Sequence, residues 1–199
     1  MGVADNTLVI VTSDNGGDIP TGRDRPECVA QDLGLEINGP LRGDKHTIWE
    51  GGLRVPFVVR WPRNVPKGMV SSSMVNLTDV FATVAELVEG KPLNETGVAP
   101  DSVSFCQSLL HPNRRSDTGR KEMVITNAQG VFALRQGPWK YIEGRLPASW
   151  KRNRKSTYNG QAVRQLYHIV KDPAEESNVI EAHPTVAENM QKLLDRIRQ

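Results

Sequence analysis

Cysteine is nearly absent from this chain: Cys28 and Cys106 are the two among 199 residues. They can form at most one bridge, which excludes a disulfide-stapled scaffold. Long apolar runs are missing as well. No stretch approaches the ~20 residues that a bilayer-spanning helix requires, so no membrane partner is expected. The first residues lack a basic region followed by an apolar one, and no signal peptide is legible. Met1-Gly2 fails the myristoylation pattern because Asn6 stands where Ser or Thr is needed. Strong charge of either sign is lacking too, and a formal net charge of +2 gives no reason to expect nucleic acid as a partner. The composition, 38% hydrophobic and 24% charged, is that of a soluble globular protein. The length suffices for one domain, or for a domain with a small appendage.

The apolar run Leu8-Val9-Ile10-Val11 stops abruptly in Thr12-Ser13-Asp14-Asn15-Gly16-Gly17. The run has the pattern of a buried parallel strand, and ligands of open α/β sheets bind just outside the carboxyl ends of such strands. The loop offers a carboxylate, an amide and two hydroxyls, hard oxygen donors suited to Ca²⁺ or Mg²⁺. An Asx turn with an Asn-Gly hairpin signal is the other reading of the same hexapeptide. Few residues precede this strand, although a central parallel strand needs neighbours on both sides. The chain is therefore expected to be the C-terminal portion of a larger fold.

Residues 16–44 are rich in Gly, Pro, Asp and Arg and are expected to form a long loop. Val55 to Trp61 forms a second apolar strand ended by Pro62. Thr78 to Glu89 is an amphipathic helix with Val80, Phe81, Val84, Leu87 and Val88 on one face. Thr78 is its expected cap and Gly90 its C-terminal stop. After a linker around Val103 to Leu110 come four short strands, Glu122–Thr126, Val131–Arg135, Trp139–Ile142 and Gln165–Ile169. A final helix from about Pro184 to Arg198 starts with proline at its first position. The expected domains are an α/β part over residues 1–118 and a small α+β subdomain over 119–199, a short antiparallel sheet with a C-terminal helix.

The stretch from Gly39 to Pro56 packs glycines, His46 and several cations into the approach to the second strand. Lysine and arginine on glycine-rich backbone suit a tetrahedral oxyanion. A cation site beside an anion site would neutralise the oxygens of a sulfuryl or phosphoryl group.

The segments Thr12–Gly17 and Leu41–Pro56 together resemble the second half of an arylsulfatase-type sulfatase of the alkaline-phosphatase superfamily. The likeness continues through Asn76–Phe81, Gly137–Ile142 and Leu166–Asn178, in order along the chain. It implies the C-terminal portion of an alkaline-phosphatase-like α/β sandwich and a sulfuric ester hydrolase activity. It makes Asp14 and Asn15 ligands of a divalent cation, usually Ca²⁺ with Mg²⁺ as the alternative, and Lys45 the catalytic lysine that contacts the substrate sulfate. His46 stands where family members often have glycine, and is a second candidate for substrate contact. Arg42, Glu50 and Arg54 are expected to brace the loop. The implied substrate is a sulfate ester, with a sulfated carbohydrate as one class, and the implied location is periplasmic or secreted.

One family element is missing from these residues. The formylglycine nucleophile is made from Cys or Ser in a Cys/Ser-x-Pro/Ala-x-Arg sequence, and neither Cys28 nor Cys106 is followed by that pattern. The nucleophile and the remaining metal carboxylates are expected in an N-terminal part. The chain by itself is accordingly expected to be inactive, because Ca²⁺ takes six to eight oxygens and two side chains do not hold it. A phosphoesterase of the same superfamily and a non-catalytic polyanion-binding remnant are the alternative readings, the latter drawn from the cations between Arg145 and Lys155. His111, His168 and His183 share no ligand spacing, and Asn76 and Asn94 begin glycosylation triplets of a kind common by chance.

Overall fold

The computed structural model describes residues 2–19, 25–93, 97–111, 119–127, 130–144 and 163–199. The basic segment from Arg145 to Lys155 and Asn94 lie outside the described residues. The chain forms two compact units, Met1–Thr12 with Pro56–Lys121, and Ser13–Val55 with Glu122–Gln199. The boundary drawn at 118/119 follows chain order, whereas these units are divided in space, because Ser13–Val55 lies with the C-terminal sheet.

In the first unit, β1 (Val9–Thr12) pairs with β2 (Phe57–Arg60), Val9 opposite Arg60 and Thr12 opposite Phe57. The pairing is antiparallel, which corrects the expected parallel strand. Strand direction is set by the partner, and β-branched residues fit either ladder. Burial also departs from expectation: Val9, Val11 and Val58 are exposed, and Ile10, Phe57 and Val59 are half-buried.

Helix α3 (Asp79–Glu89) forms where its periodicity places it and ends at Gly90, φ 73°, whose N–H returns to Glu86 O at 2.8 Å. Its buried residues, however, are Asp79, Ala82 and Thr83, while Phe81, Val84 and Val88 are exposed. Hydrogen bonds choose this face. The Asp79 carboxylate accepts from the backbone N–H groups of Asn76 (2.8 Å) and Val103 (2.9 Å) and from Arg120 Nε (3.0 Å). Thr83 Oγ1 accepts from Phe105 N–H at 3.0 Å, and Ser102 Oγ accepts from Ala82 N–H at 3.0 Å. A buried carboxylate needs such partners, so the polar stripe turns inward. Thr78 makes no side-chain cap; Asn76 Oδ1 instead accepts from Thr78 N–H at 3.1 Å. The apolar segment after it becomes α4 (Cys106–Leu110), with Phe105 edge-on to Phe57 at 5.6 Å.

In the second unit, β3 (Glu122–Thr126), β4 (Phe132–Gln136), β5 (Trp139–Ile142) and β6 (Gln165–His168) form an antiparallel meander. Leu134 pairs with Tyr141 and Tyr141 with Leu166, a row on one face that packs on Ala187, Met190 and Leu194 of α5 (Pro184–Ile197). Burying leucines of this kind contributes about 1.5–3 kcal/mol each. On the other face, Ala133, Ile142 and Tyr167 pack on Ile48 and Trp49, next to α2 (Glu50–Leu53). Among the described residues, the long stretch expected as loop holds one short helix, α1 (Pro26–Asp32), with proline in its first turn. Cys28 and Cys106 are both buried, and neither forms a disulfide among the described residues.

Candidate functional site

The two glycine-bearing segments singled out in the sequence are hydrogen-bonded to each other. Gly16 N–H donates to Gly52 O and Lys45 N–H to Gly17 O, both at 3.0 Å. Gly51 N–H donates to Arg42 O at 2.7 Å, which closes the second segment on itself. Asn38 bridges them, its Oδ1 accepting from Gly17 N–H (2.8 Å) and its Nδ2 donating to Gly43 O (3.0 Å). Backbone passes so closely here that a side chain has no room. A Cβ on Gly16 would lie 1.8 Å from Gly51 O, and one on Gly52 would lie 2.3 Å from Asp44 O. The glycines are therefore required by proximity.

Asp14 and Asn15 immediately precede this contact, and Lys45 takes part in it through its backbone. Asp14 is exposed, and Asn15 and Lys45 are half-buried. Asn15 Nδ2 donates to Gly16 O at 2.8 Å, which fixes the amide. Among the described residues, no hydrogen bond engages the Asp14 carboxylate or Asn15 Oδ1, so both hard oxygens fit a cation. Among the described residues no group of three or more His, Cys, Asp or Glu is placed to hold a metal ion, so these two atoms would be a partial ligand set. His46 is exposed at φ 76°, in the left-handed region. Histidine is among the residues that tolerate that conformation better than most.

Behind the loop lies a buried ion cluster that no spacing in the sequence announces. Lys140, fully buried, meets Glu50 Oε1 at 3.0 Å and Glu175 Oε1 at 2.9 Å. Arg135 approaches Glu50 at 4.0 Å. Arg135, Lys140 and Tyr167 are cross-strand neighbours on β4, β5 and β6, which is why the charges gather on the face that receives α2. Burial pushes the Glu175 carboxyl upward, opposed by the Lys140 ammonium. Arg42 stacks on Trp49, 4.1 Å from the ring centre, and donates to Tyr167 Oη at 3.2 Å. Arg42 and Glu50 thus brace the loop as expected, whereas the Arg54 side chain is exposed. The segments Gly137–Ile142 and Leu166–Asn178 carried the resemblance without a stated role; they supply Lys140 and Glu175. Trp139 lies against His168 and His183, at 4.8 and 4.9 Å, packing roles consistent with their lack of ligand spacing.

Asp44 is a further carboxyl in the loop. Desolvation raises its pKa above 3.8, the Asp18 carboxylate adds to this, and His46 opposes it. Folded Asp44 keeps its proton to a higher pH than unfolded Asp44. The native state then binds more protons between the two values, and stability falls as pH rises through that window. Asp44→Asn should remove this decline. Urea unfolding midpoints followed from about pH 4 to about pH 7 would show it, and an unchanged slope would refute it.

The carboxylate–amide segment and the lysine segment sit on a mixed α/β scaffold of the alkaline-phosphatase-like fold. The Sulfatase family's model matches residues 1–90. The N-acetylgalactosamine-6-O-sulfatase of Bacteroides thetaiotaomicron is 34% identical over 98% of this chain and 37% of its own length. Human arylsulfatase A is 29% identical over 90% of this chain and 34% of its own length. A solved sulfatase structure described under glycosaminoglycan metabolism by Bacteroides thetaiotaomicron superposes with a TM-score of 0.80 at 34% identity, covering 98% of this chain and 39% of the other. The chain belongs to the sulfatase family, and it spans little more than a third of the length of these relatives.

Proposed function

We propose that the chain supplies part of the active site of a sulfuric ester hydrolase. In this reading Lys45 binds an oxygen of the substrate sulfate, His46 lies at the mouth, and Asp14 and Asn15 are two ligands of a divalent cation, Ca²⁺ with Mg²⁺ as the alternative. The bound cation would neutralise charge on the sulfuryl oxygens as the ester bond breaks. The attacking oxygen would come from a formylglycine in an N-terminal part, and without it the chain does not turn over esters. The observation that carries this reading is the glycine contact, which seats the segment following Asp14 and Asn15 on the segment containing Lys45. The similarity to an N-acetylgalactosamine-6-O-sulfatase favours a sulfated carbohydrate as substrate. A periplasmic or secreted location accompanies the reading, as the place where such substrates are met.

The test is a titration of the 199-residue chain with sodium sulfate in the presence of Ca²⁺, followed by amide NMR shifts. Shifts are expected at Lys45, His46 and Gly17, and Lys45→Ala should weaken sulfate binding by about tenfold or more, the scale of a lost charge-assisted hydrogen bond. Calcium binding measured alone by calorimetry should be weak and reduced further in Asp14→Asn. Sub-micromolar Ca²⁺ affinity, or sulfate shifts indifferent to Lys45, would refute the assignment.

A further inference from the structure

Lys45 sits in a loop whose two ends meet the same distant residue. Before the loop, Arg42 donates through Nη1 to the backbone carbonyl of Glu175 at 3.0 Å. After it, Glu50 donates its backbone N–H to Glu175 Oε2 at 2.6 Å. The remaining oxygen, Oε1, is paired with the buried Lys140 ammonium, which also holds the Glu50 carboxylate. One residue thus touches both flanks of the Lys45 segment, with its main chain on one side and its side chain on the other. Glu175 is fully buried and held at φ 53°, in the left-handed region. An L-residue with a Cβ adopts that conformation at a cost, and it persists only where the surroundings over-determine it. Here they do: Glu175 N–H is tied to Asp172 O at 3.2 Å, and Asp172 in turn accepts from Glu176 and Ser177 N–H at 3.0 and 2.9 Å.

We propose that Glu175 is a positioning residue for Lys45: it closes the span from Arg42 to Glu50 into one fixed loop, which presents the lysine for an anion. The inference rests on the reading of Lys45 as the sulfate-binding residue. Its physical content is entropic. A loop pinned at both ends has lost most of its freedom before the anion arrives, so less ordering opposes binding. Lys140 acts through Glu175 by holding its carboxylate, and Glu50 is the point at which that hold reaches the loop.

The experiment compares Glu175→Ala, Glu175→Gln and Arg42→Ala in the full chain, reading amide hydrogen exchange and sulfate titration together. Glu175→Ala should speed exchange at Lys45 and Gly51 by about tenfold or more, and weaken sulfate binding by a similar factor. Exchange in β3–β6 and α5 should change much less. Glu175→Gln keeps an acceptor for Glu50 N–H and should restore most of the sulfate affinity, a rescue that a merely structural role does not predict. Should Glu175→Ala fail to fold, Arg42→Ala removes the carbonyl tie, leaves the buried ions in place, and should still speed exchange at Lys45. Exchange that rises evenly across the whole unit, or that leaves Lys45 and Gly51 unchanged, overturns the proposal. Lys45→Ala separates the two readings: if it leaves sulfate binding intact, the sulfate assignment falls, while the exchange pattern still decides whether Glu175 positions the loop.

Discussion

Replacing Lys140 with methionine should lower the unfolding free energy of the Ser13–Val55/Glu122–Gln199 unit by about 3–5 kcal/mol, the scale for breaking a buried ion pair by removing one partner. Lys140 has no exposed surface, and the carboxylates of Glu50 and Glu175 both lean on it at hydrogen-bonding distance. Without it they face each other, with Arg135 4.0 Å from Glu50 as the nearby cation among the described residues. The aliphatic stem of methionine fills the same space, so the loss reports the charge and not a cavity. Denaturant unfolding followed by tryptophan fluorescence measures it. The variant should also lose stability further as pH rises. Burial already raises Glu175, the lost cation raises it more, and the native state then holds a proton that the unfolded chain releases. The triple change Lys140→Met, Glu50→Gln and Glu175→Gln should recover part of the loss, since no unpaired charge is left buried. A Lys140→Met loss below about 1 kcal/mol would mean that water screens this cluster.

Gly16→Ala should be nearly as damaging, at about 2–4 kcal/mol from overpacking and a lost backbone hydrogen bond together. The new methyl would stand 1.8 Å from Gly51 O and 2.9 Å from Gly52 Cα. Both are main-chain atoms that cannot rotate away, so the Gly16–Gly52 hydrogen bond must open. The same opening displaces the segment holding Asp14 from the segment holding Lys45, and the sulfate response should disappear with it. Gly2→Ala is the matched control, because nothing lies within 4 Å of its added Cβ. Thermal unfolding and sulfate titration of the two variants should diverge. Equal behaviour would show that the glycine contact is looser than its geometry requires.

Some elements were legible because their signals are local. The four strands of the meander and α5 fall within a residue or so of the positions expected from turn residues, alternation and an initial proline. The C-terminal stop at Gly90 followed from the backbone freedom of glycine. The loop pair stood out for a different reason: its segments combine oxygen donors or cations with glycine, and the close backbone contact between them requires those glycines. The short helix α1 was missed because a proline-rich, polar stretch with a single buried residue, Cys28, shows little periodicity.

What the amino-acid order determined alone was the family and most of the regular elements. Tertiary structure decided three further things. It paired β1 and β2 antiparallel, because a β-branched run carries no record of its partner's direction. It turned the polar stripe of α3 inward, because Asp79 finds its partners at Val103 and Arg120, far beyond any helical period. It also joined Glu50, Lys140 and Glu175 into one cluster, since charges scattered along a chain reveal their pairing only once the backbone has brought them out of water together.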